Sequence, residues 1–576
     1  MEGRPVPSAA TTEREPSASA VAPRRSCTAT LVALVLLVAS LGLEAWNLYA
    51  RTPWAPVRQR SADATPHLAP FAQVNPYGVN TFLADDVEHW KREKTMEMIA
   101  AAGIGWIKQG FLWSEIEPAR GSHWDEKYQQ DAWKKYDEIV ALAERYGVRI
   151  IARLDHTPAW ARPPDTTPHT PPSDPEDFAR FVGTFVKRYR GRVQYIQIWN
   201  EPNLAKEWGG RVDPAGYARL LRAAYRSAKA ADPNVVVLSA PMAMTNERSD
   251  RAMPELDYWR ALYALGAGEY FDVMCASAYG LDQPPTAPPD PATINVRRIE
   301  LLRQLMVEAG DGDKAMWLNE YGWNAAPATI PADELVWRRV SEEEQARWTP
   351  EGIAWMREHL PWVGVVSIWY FRQIGTVPPS DPIYYFRLVD VEFTPRPVYL
   401  TVQRDAIARQ LALPGRYGEM EAPVVALGTW PRVSDPRAVD GQYIRSAQAG
   451  AAIELRFLGS DVTLLLPPST PRGRLYVELD GRPASGPHIS RDESGRAYID
   501  LSALPVGTRE VPVVRGLGSD RPQAEHRLRL TLGPGSELAL DGIVVDYRRT
   551  YTQFGAYALA GLVGVVGAVR LLRRRA

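Results

Sequence analysis

Residues Gln194 to Leu204 read QYIQIWNEPNL: five mostly apolar residues, then Trp199, Asn200, Glu201 and Pro202. A short apolar run that stops at a turn-former reads as a buried strand. Its end sets an amide and a carboxylate side by side. Either the chain leaves the core there with ordinary polar residues, or both groups are presented to a pocket.

Working outward, runs of the same kind recur: YGVNTFL from Tyr77, GIGWIKQG from Gly103, GVRIIARL from Gly147, VQYIQIWN from Val193, VVVLSA from Val235, FDVMCASAYG from Phe271, AMWLNEYG from Ala315 and VGVVSIWYF from Val363. Helix-period segments separate them, such as DAWKKYDEIVALAERYG, with Gly147 as a stop signal, and PEDFARFVGTFVKRYRG. Eight strand–helix units in this span predict a (β/α)₈ TIM barrel, α/β in class, over 73–414. A doubly wound open sheet is the competing topology, and no glycine-rich phosphate fingerprint follows the first strand to support it.

A barrel of this kind builds its pocket from residues just beyond the C-terminal ends of its strands. Trp113 follows strand two, and strand three runs into Asp155 and His156. Strand four ends in Asn200 and Glu201, strand six in Tyr279, strand seven in Asn319 and Glu320, and strand eight in Trp369. Trp160, Trp208 and Trp323 fall on further rim loops, as subsite walls or as packing. One glutamate at a strand end is unremarkable. Two, on strands four and seven, face each other across a closed barrel.

After Pro414 the helical period gives way to alternating segments, AAIELRFLG, DVTLLLP, RLYVELDG, REVPVVRG, HRLRLTLG and LALDGIVVDY, which predict an antiparallel β-sandwich over 415–548. Its expected role is that of a spacer and packing partner. Residues 1–26, rich in Ser, Ala, Pro and Glu, predict a disordered tail. Residues 51–72 read as a linker. Two apolar stretches, 28–48 and 551–572, predict membrane helices, the first as a span or signal anchor. Arginines precede the first (Arg24, Arg25) and end the second (Arg570, Arg573, Arg574, Arg575). The positive-inside rule therefore puts both termini in the cytoplasm and the folded part on the extracytoplasmic side of the cell membrane.

With 67 basic and 68 acidic residues and no basic run in the folded part, a nucleic-acid partner is not expected. The two cysteines, Cys27 and Cys275, and eight scattered histidines give neither a disulfide framework nor metal-ligand spacing, so no metal and no cofactor are expected. The 19 Trp and 25 Tyr suit stacking on sugar rings and suit large cores equally well.

Two facing carboxylates in a polar pocket match the needs of glycosidic bond cleavage, one attacking the anomeric carbon while the other protonates the departing oxygen. The motifs IWNEPN, WLNEYGW and SIWYF resemble those of strands four, seven and eight in clan A glycoside hydrolases, the retaining TIM-barrel enzymes. The stretch FLWSEIEPARGSHWDEKYQQDAWKKYDEIVALAERYGVRIIARL is similar to the corresponding region of families five, thirty-nine and forty-two, and the resemblance covers about residues 75–412. It implies Glu201 as acid/base, Glu320 as nucleophile, Asn200 as contact to the sugar 2-hydroxyl, Tyr279 as hydrogen-bond partner of the nucleophile and Trp369 as subsite floor. Trp113 and His156 are further candidates for binding substrate. Two positions depart from the pattern. Lys108 and Gln109 stand where many members have an arginine, and Ser277 stands where a histidine is common. The resemblance thus implies a membrane-anchored retaining glycosidase acting on an oligo- or polysaccharide, with transglycosylation as a variant. A catalytically silent barrel that binds glycan or serves polysaccharide assembly or export is the alternative.

Overall fold

The computed structural model describes residues 69–547 apart from 376, 487 and 518–523, together with scattered helical positions near each terminus. The chain divides into two units, Val57–Arg548 and a second made of Met1–Pro56 and Arg549–Ala576. The expected membrane spans at 28–48 and 551–572 lie outside the described residues but for those scattered positions, as do the tail at 1–26 and most of the linker at 51–72. Among the described residues, no helix is long and apolar enough to cross a membrane.

Eight parallel strands form one sheet: β1 Tyr77–Thr81, β2 Trp106–Leu112, β3 Arg149–Asp155, β4 Tyr195–Ile198, β5 Val236–Leu238, β6 Met274–Tyr279, β7 Met316–Gly322 and β8 Val363–Ile368, in the order β5-β4-β3-β2-β1-β8-β7-β6. The two edges meet where Leu238 bridges Val273 in parallel and the Asp272 amide donates to the Val237 carbonyl at 2.8 Å. Each strand sits at one of the eight expected places. Each is followed by a helix: α1 His89–Ala101, α2 Lys134–Tyr146, α3 Pro175–Arg188, α4 Pro214–Ala231, α5 Glu255–Ala264, α6 Ile299–Glu308, α7 Glu342–His359 and α8 Pro397–Arg409.

Local chemistry sets the helix ends. Asp174 caps α3 by accepting from the Glu176 amide, Pro175 opens the first turn, and Lys187 and Arg188 meet the negative end of the dipole. A full capping box, Ser341 with Glu344, starts α7. Gly147 ends α2 in the left-handed conformation (φ 68°), where a Cβ would also stand 2.9 Å from Leu427.

Strand alternation sends one set of side chains outward and the other inward. Ile107, Ile150, Ile196, Val237 and Leu318 pack against the helices. Trp106, Ile151, Tyr195, Val236, Trp317 and Val365 fill the floor of the barrel. The rings of Trp106, Tyr195 and Trp317 meet pairwise with centroids 4.9–5.3 Å apart and plug that floor. Glu320 escapes the simple alternation. Ala276 pairs with Leu318 but Ser277 pairs with Glu320, so Asn319 is the extra residue of a bulge, and Trp317 and Glu320 both face inward.

The second domain is built from sheets, as expected. One runs through Leu411–Ala412, Ala452–Phe457, His526–Leu532, Arg474–Leu479, Ala497–Asp500 and Ile489–Arg491, and another through Gly415–Tyr417, Gly542–Asp546, Asp461–Leu465 and Glu510–Val514. A third small sheet joins Arg432–Ser434, Gln442–Ser446 and Leu538–Leu540. Its core, with Ile453, Leu464, Val477 and Leu530, is continuous with the barrel floor. Polar clasps complete the joint. Gln194 both donates to the Arg432 carbonyl (3.0 Å) and accepts from its amide (2.5 Å), and the Asn75 amide donates to the Met420 carbonyl (2.9 Å).

Candidate active site

Glu320 lies at the inner wall of β7 and is buried. Lys108 from β2 donates to its Oε1 at 2.9 Å, and the Tyr279 hydroxyl from the end of β6 donates to Oε2 at 2.8 Å. The two donors engage both oxygens of the carboxylate. Burial depresses Lys108, with Glu320 opposing that shift. Burial and the Glu320 charge push the Tyr279 phenol far above its ordinary range, so it remains a donor.

Glu201 stands beyond β4. Burial, then the negative charge of Glu320, raises its carboxyl from 4.5 to about 8. One pocket therefore holds a carboxylate that accepts from two donors, Glu320, beside a carboxyl pushed well above its ordinary range, Glu201. This is the division of labour that acid/base and nucleophilic roles require.

The chain bends sharply to deliver Glu201. Trp199 and Glu201 both have positive φ, 72° and 44°, with Asn200 between them. Such conformations cost ~1–3 kcal/mol each and persist where the surroundings over-determine them. Here the Trp199 amide donates to the Leu154 carbonyl (3.0 Å) and the Glu201 amide to the Pro241 carbonyl (3.1 Å), while Gln197 donates to the Trp199 carbonyl (2.7 Å). Asn200 Oδ1 is buried with no protein partner among the described residues.

An aromatic wall surrounds this pair. Trp369 follows β8, meets Phe82 edge-on at 5.7 Å, and has the Lys108 ammonium 5.9 Å from its ring. Tyr279, Tyr370 and Phe386 form a small buried cluster with Phe82, Trp337 and Trp369 packed against it. Asn80 of β1 pins the two strands behind the wall, donating to the carbonyls of Asn319 (3.0 Å) and Ile368 (3.3 Å).

The remaining residues singled out in the sequence separate into two groups. His156 (φ 64°) reaches the rim of the pocket, its Nδ1 2.8 Å from Asp155 Oδ1 and its ring 4.6 Å from that of His169. Trp113 does not face the pocket. The short helix Trp113–Ile116 turns its ring back into the helix layer, stacked on Phe181 at 5.6 Å, and its indole N–H donates to Glu117. Trp208 and Trp323 are likewise fully buried, against Trp199 and against Tyr321 and Trp348. Trp160 is half-buried, with the Arg120 and Arg180 guanidinium groups over its ring. Of the two departures, Lys108 takes up the contact to Glu320, and Gln109 points the other way to accept from Thr81 and the Leu83 amide. Ser277 is aligned with Glu320 across the β6–β7 pair, its hydroxyl buried and without a protein partner among the described residues.

Sequence reasoning missed Trp337 and Phe386, which come from segments with no periodic signal, and Phe82 and Tyr370, which sit at the ends of the apolar runs YGVNTFL and VGVVSIWYF. It also missed Asn80, although YGVNTFL carries one polar residue inside an apolar run.

The fold and pocket define a (β/α)₈ barrel with two neighbouring carboxyl groups, Glu201 and Glu320, at the C-terminal ends of its strands. Residues 68–262, spanning the first five barrel strands, match the family model of Cellulase (glycosyl hydrolase family 5), in line with the resemblance to clan A glycoside hydrolases. Similar solved structures include a family 39 glycoside hydrolase from the gut symbiont Bacteroides cellulosilyticus WH2, 18% identical, covering 80% of this chain and 81% of that one, TM-score 0.45. A GH39 beta-xylosidase from Caulobacter crescentus is 14% identical, with 81% and 97% covered and a TM-score of 0.44. A family 5, subfamily 18 enzyme from Streptomyces cattleya, in complex with Manβ1-4GlcNAc, is 16% identical, with 60% and 86% covered and a TM-score of 0.45. No curated protein matches the chain.

Proposed function

We propose that the protein is a retaining glycosidase that cleaves O-glycosidic bonds of an extracytoplasmic glycan by double displacement. The observation that carries the reading is the pairing of Glu320, which accepts from Lys108 and Tyr279, with Glu201, whose carboxyl burial and the Glu320 charge push up to about 8. In the first step a Glu320 oxygen attacks the anomeric carbon while the glycosidic C–O bond breaks. The leaving oxygen takes the proton of Glu201. In the second, Glu201, now a carboxylate, removes a proton from water, the water oxygen bonds to the anomeric carbon, and Glu320 is released. An acceptor sugar in place of water gives transglycosylation.

The unpartnered Asn200 amide suits a sugar hydroxyl beside the reacting carbon, and Trp369 offers the ring a flat apolar face. The apolar stretches at 28–48 and 551–572, with arginines at their outer ends, support tethering of the folded part to the cell membrane. The Lys108 contact favours catalysis over a silent, glycan-binding barrel, because a buried carboxylate positioned by its own cationic partner serves attack and is not needed to hold a sugar.

The test is a screen of the full chain against aryl glycosides, with Glu320→Ala in parallel and the anomeric configuration of the first-formed product read by NMR. Release of aryl alcohol by the parent alone, with retained configuration, is expected. Equal release by Glu320→Ala, or an inverted product, overturns the proposal.

A further inference from the structure

Arg153, on β3, is set apart from the other arginines around the pocket. On that strand Ile151 belongs to the barrel floor while Ile150, Ala152 and Leu154 pack against the helices, so Arg153 and Asp155 face the interior above the floor. Its Nε lies 2.9 Å from Asp155 Oδ2, an ion pair made by proximity without hydrogen-bond geometry, so Nε too is without a hydrogen-bond partner among the described residues. Neither terminal nitrogen hydrogen-bonds to any described residue. In neighbouring arginines the terminal nitrogens are engaged: Arg162 donates to the Thr157 carbonyl at 2.6 Å, Arg180 to Glu117 at 2.9 Å, and Arg372 to both oxygens of Asp86 at 2.7 and 2.6 Å.

The surroundings keep that fork open. Arg153 pairs in register with Gly110 of β2, and a Cβ at Gly110 would lie 3.4 Å from its Nη2, so the glycine leaves the guanidinium room to lie along the wall. Its side chain is 20% exposed, as a group at the bottom of an open pocket should be. The other charges nearby are matched. Lys108 answers Glu320, His169 answers Glu207 at 2.9 Å, and Asp155 holds Arg153 from the Nε side alone. A guanidinium on a barrel strand whose two terminal nitrogens are both uncommitted offers the planar pair of N–H donors that recognises a carboxylate bidentately.

We infer that the glycan recognised by this pocket carries a carboxylate on a sugar ring, a hexuronic acid class of substrate, and that the terminal nitrogens of Arg153 bind it. The inference rests on the glycosidase reading for its catalytic form, and its binding form is measured separately. A hexuronic acid bears its carboxylate on the ring carbon across the ring oxygen from the anomeric centre. A fork on β3, next to the strand that supplies Lys108 to Glu320, therefore meets a group of the same or the adjoining sugar. The hydroxymethyl group of a neutral hexose offers nothing bidentate in that place.

The experiment compares the full chain with Arg153→Ala and Arg153→Lys, the latter keeping the charge without the planar fork. Thermal unfolding of all three confirms the fold. Turnover of aryl glucuronides and galacturonides is set against that of the matching glucosides and galactosides. Binding of oligogalacturonate, alginate and hyaluronan oligosaccharides is set against cello-oligosaccharides by calorimetry. The parent is expected to favour the uronic acid partner in both measurements. Arg153→Ala should lose roughly 10- to 100-fold on acidic ligands and little on neutral ones, with Arg153→Lys in between. Preference for neutral sugars, no binding of any acidic oligosaccharide, or an equal loss on both classes overturns the inference. If acidic oligosaccharides bind through Arg153 and no glycoside is cleaved, the glycosidase reading fails while this one stands.

Discussion

Replacing Glu320 by Gln removes one negative charge and almost no volume, and its effect should be read on Glu201 rather than on turnover. The Glu201 carboxyl is raised from 4.5 to about 8, first by burial and second by Glu320. Each pKa unit corresponds to ~1.4 kcal/mol. Two carboxylates across a retaining pocket stand about 5–5.5 Å apart. At an effective dielectric of about 20 their repulsion is ~3 kcal/mol, or about two units as an upper value. Lys108, freed of its partner, pulls in the same direction. Glu320→Gln should therefore bring Glu201 down by roughly one to two units and leave it above an ordinary carboxylate, because burial, the larger cause, is untouched. The assay is a ¹³C NMR titration of the labelled Glu201 carboxyl in parent and variant. In the parent, kcat/KM should fall as pH rises through about 8, where Glu201 loses its proton. An unchanged Glu201 in the variant would show that the two carboxylates do not sense each other, and the proposed pairing would be refuted.

Tyr279→Phe removes the 2.8 Å donor from Glu320 Oε2 and should lower kcat/KM about 10- to 150-fold, the worth of a hydrogen bond to a charged group, with the circular dichroism spectrum unchanged. Glu201→Gln should raise Tm more at pH 8 than at pH 5. A carboxyl with a folded-state pKa above its unfolded value stabilises the fold fully below about 4.5 and loses that contribution as pH climbs through about 8, and Gln has no proton to lose. Trp317→Ala opens a hole among Trp106, Tyr195 and the Phe71 carbonyl, and should cost ~3–5 kcal/mol in a denaturant titration. Trp113→Phe should also reduce stability yet leave KM unaltered, since the ring packs on Phe181 and not on substrate.

The barrel was legible because each strand carries a short, mostly apolar run and helix-period segments separate the runs, so the units could be read without any long-range information. The pair Glu201 and Glu320 was legible because strand ends are where a barrel builds its pocket. The inward direction of Glu320 was not. Counting by twos from Trp317 sends Glu320 outward, and only the bulge at Asn319 reverses it. Trp113 misled for a related reason. Its place after β2 is a pocket position, but a one-turn helix begins at that residue and rotates the ring into the helix layer. Lys108 read as a departure from the family pattern, and its ammonium reaches the Glu320 carboxylate. Arg153 gave a faint signal, alternating with Asp155 on the inner face of β3, which only the open guanidinium fork makes meaningful.

The placement of strain ties the two domains to the chemistry. The positive-φ residues His156, Trp199 and Glu201 lie at the upper ends of β3 and β4, strands whose lower ends meet the barrel floor and the second domain. Tyr195 at the start of β4 is wedged between Trp106 and Trp317, and Gln194 just before it is clasped by both backbone groups of Arg432 from the second domain. Arg149 at the start of β3 has its guanidinium 5.6 Å from the Trp106 ring, and the Glu144 carbonyl at the end of the preceding helix accepts from the Gly428 amide at 2.8 Å. A strand fixed at its base by packing and by a second domain cannot slide or untwist to relieve a bend at its tip, so the bend persists and Glu201 stays aimed at Glu320. The β domain then bears on catalysis without touching substrate. Gln194→Ala, remote from the pocket, should loosen the tip of β4 and lower kcat more than it raises KM. Were activity to survive that change intact while stability fell, the support would have to come from the barrel floor alone.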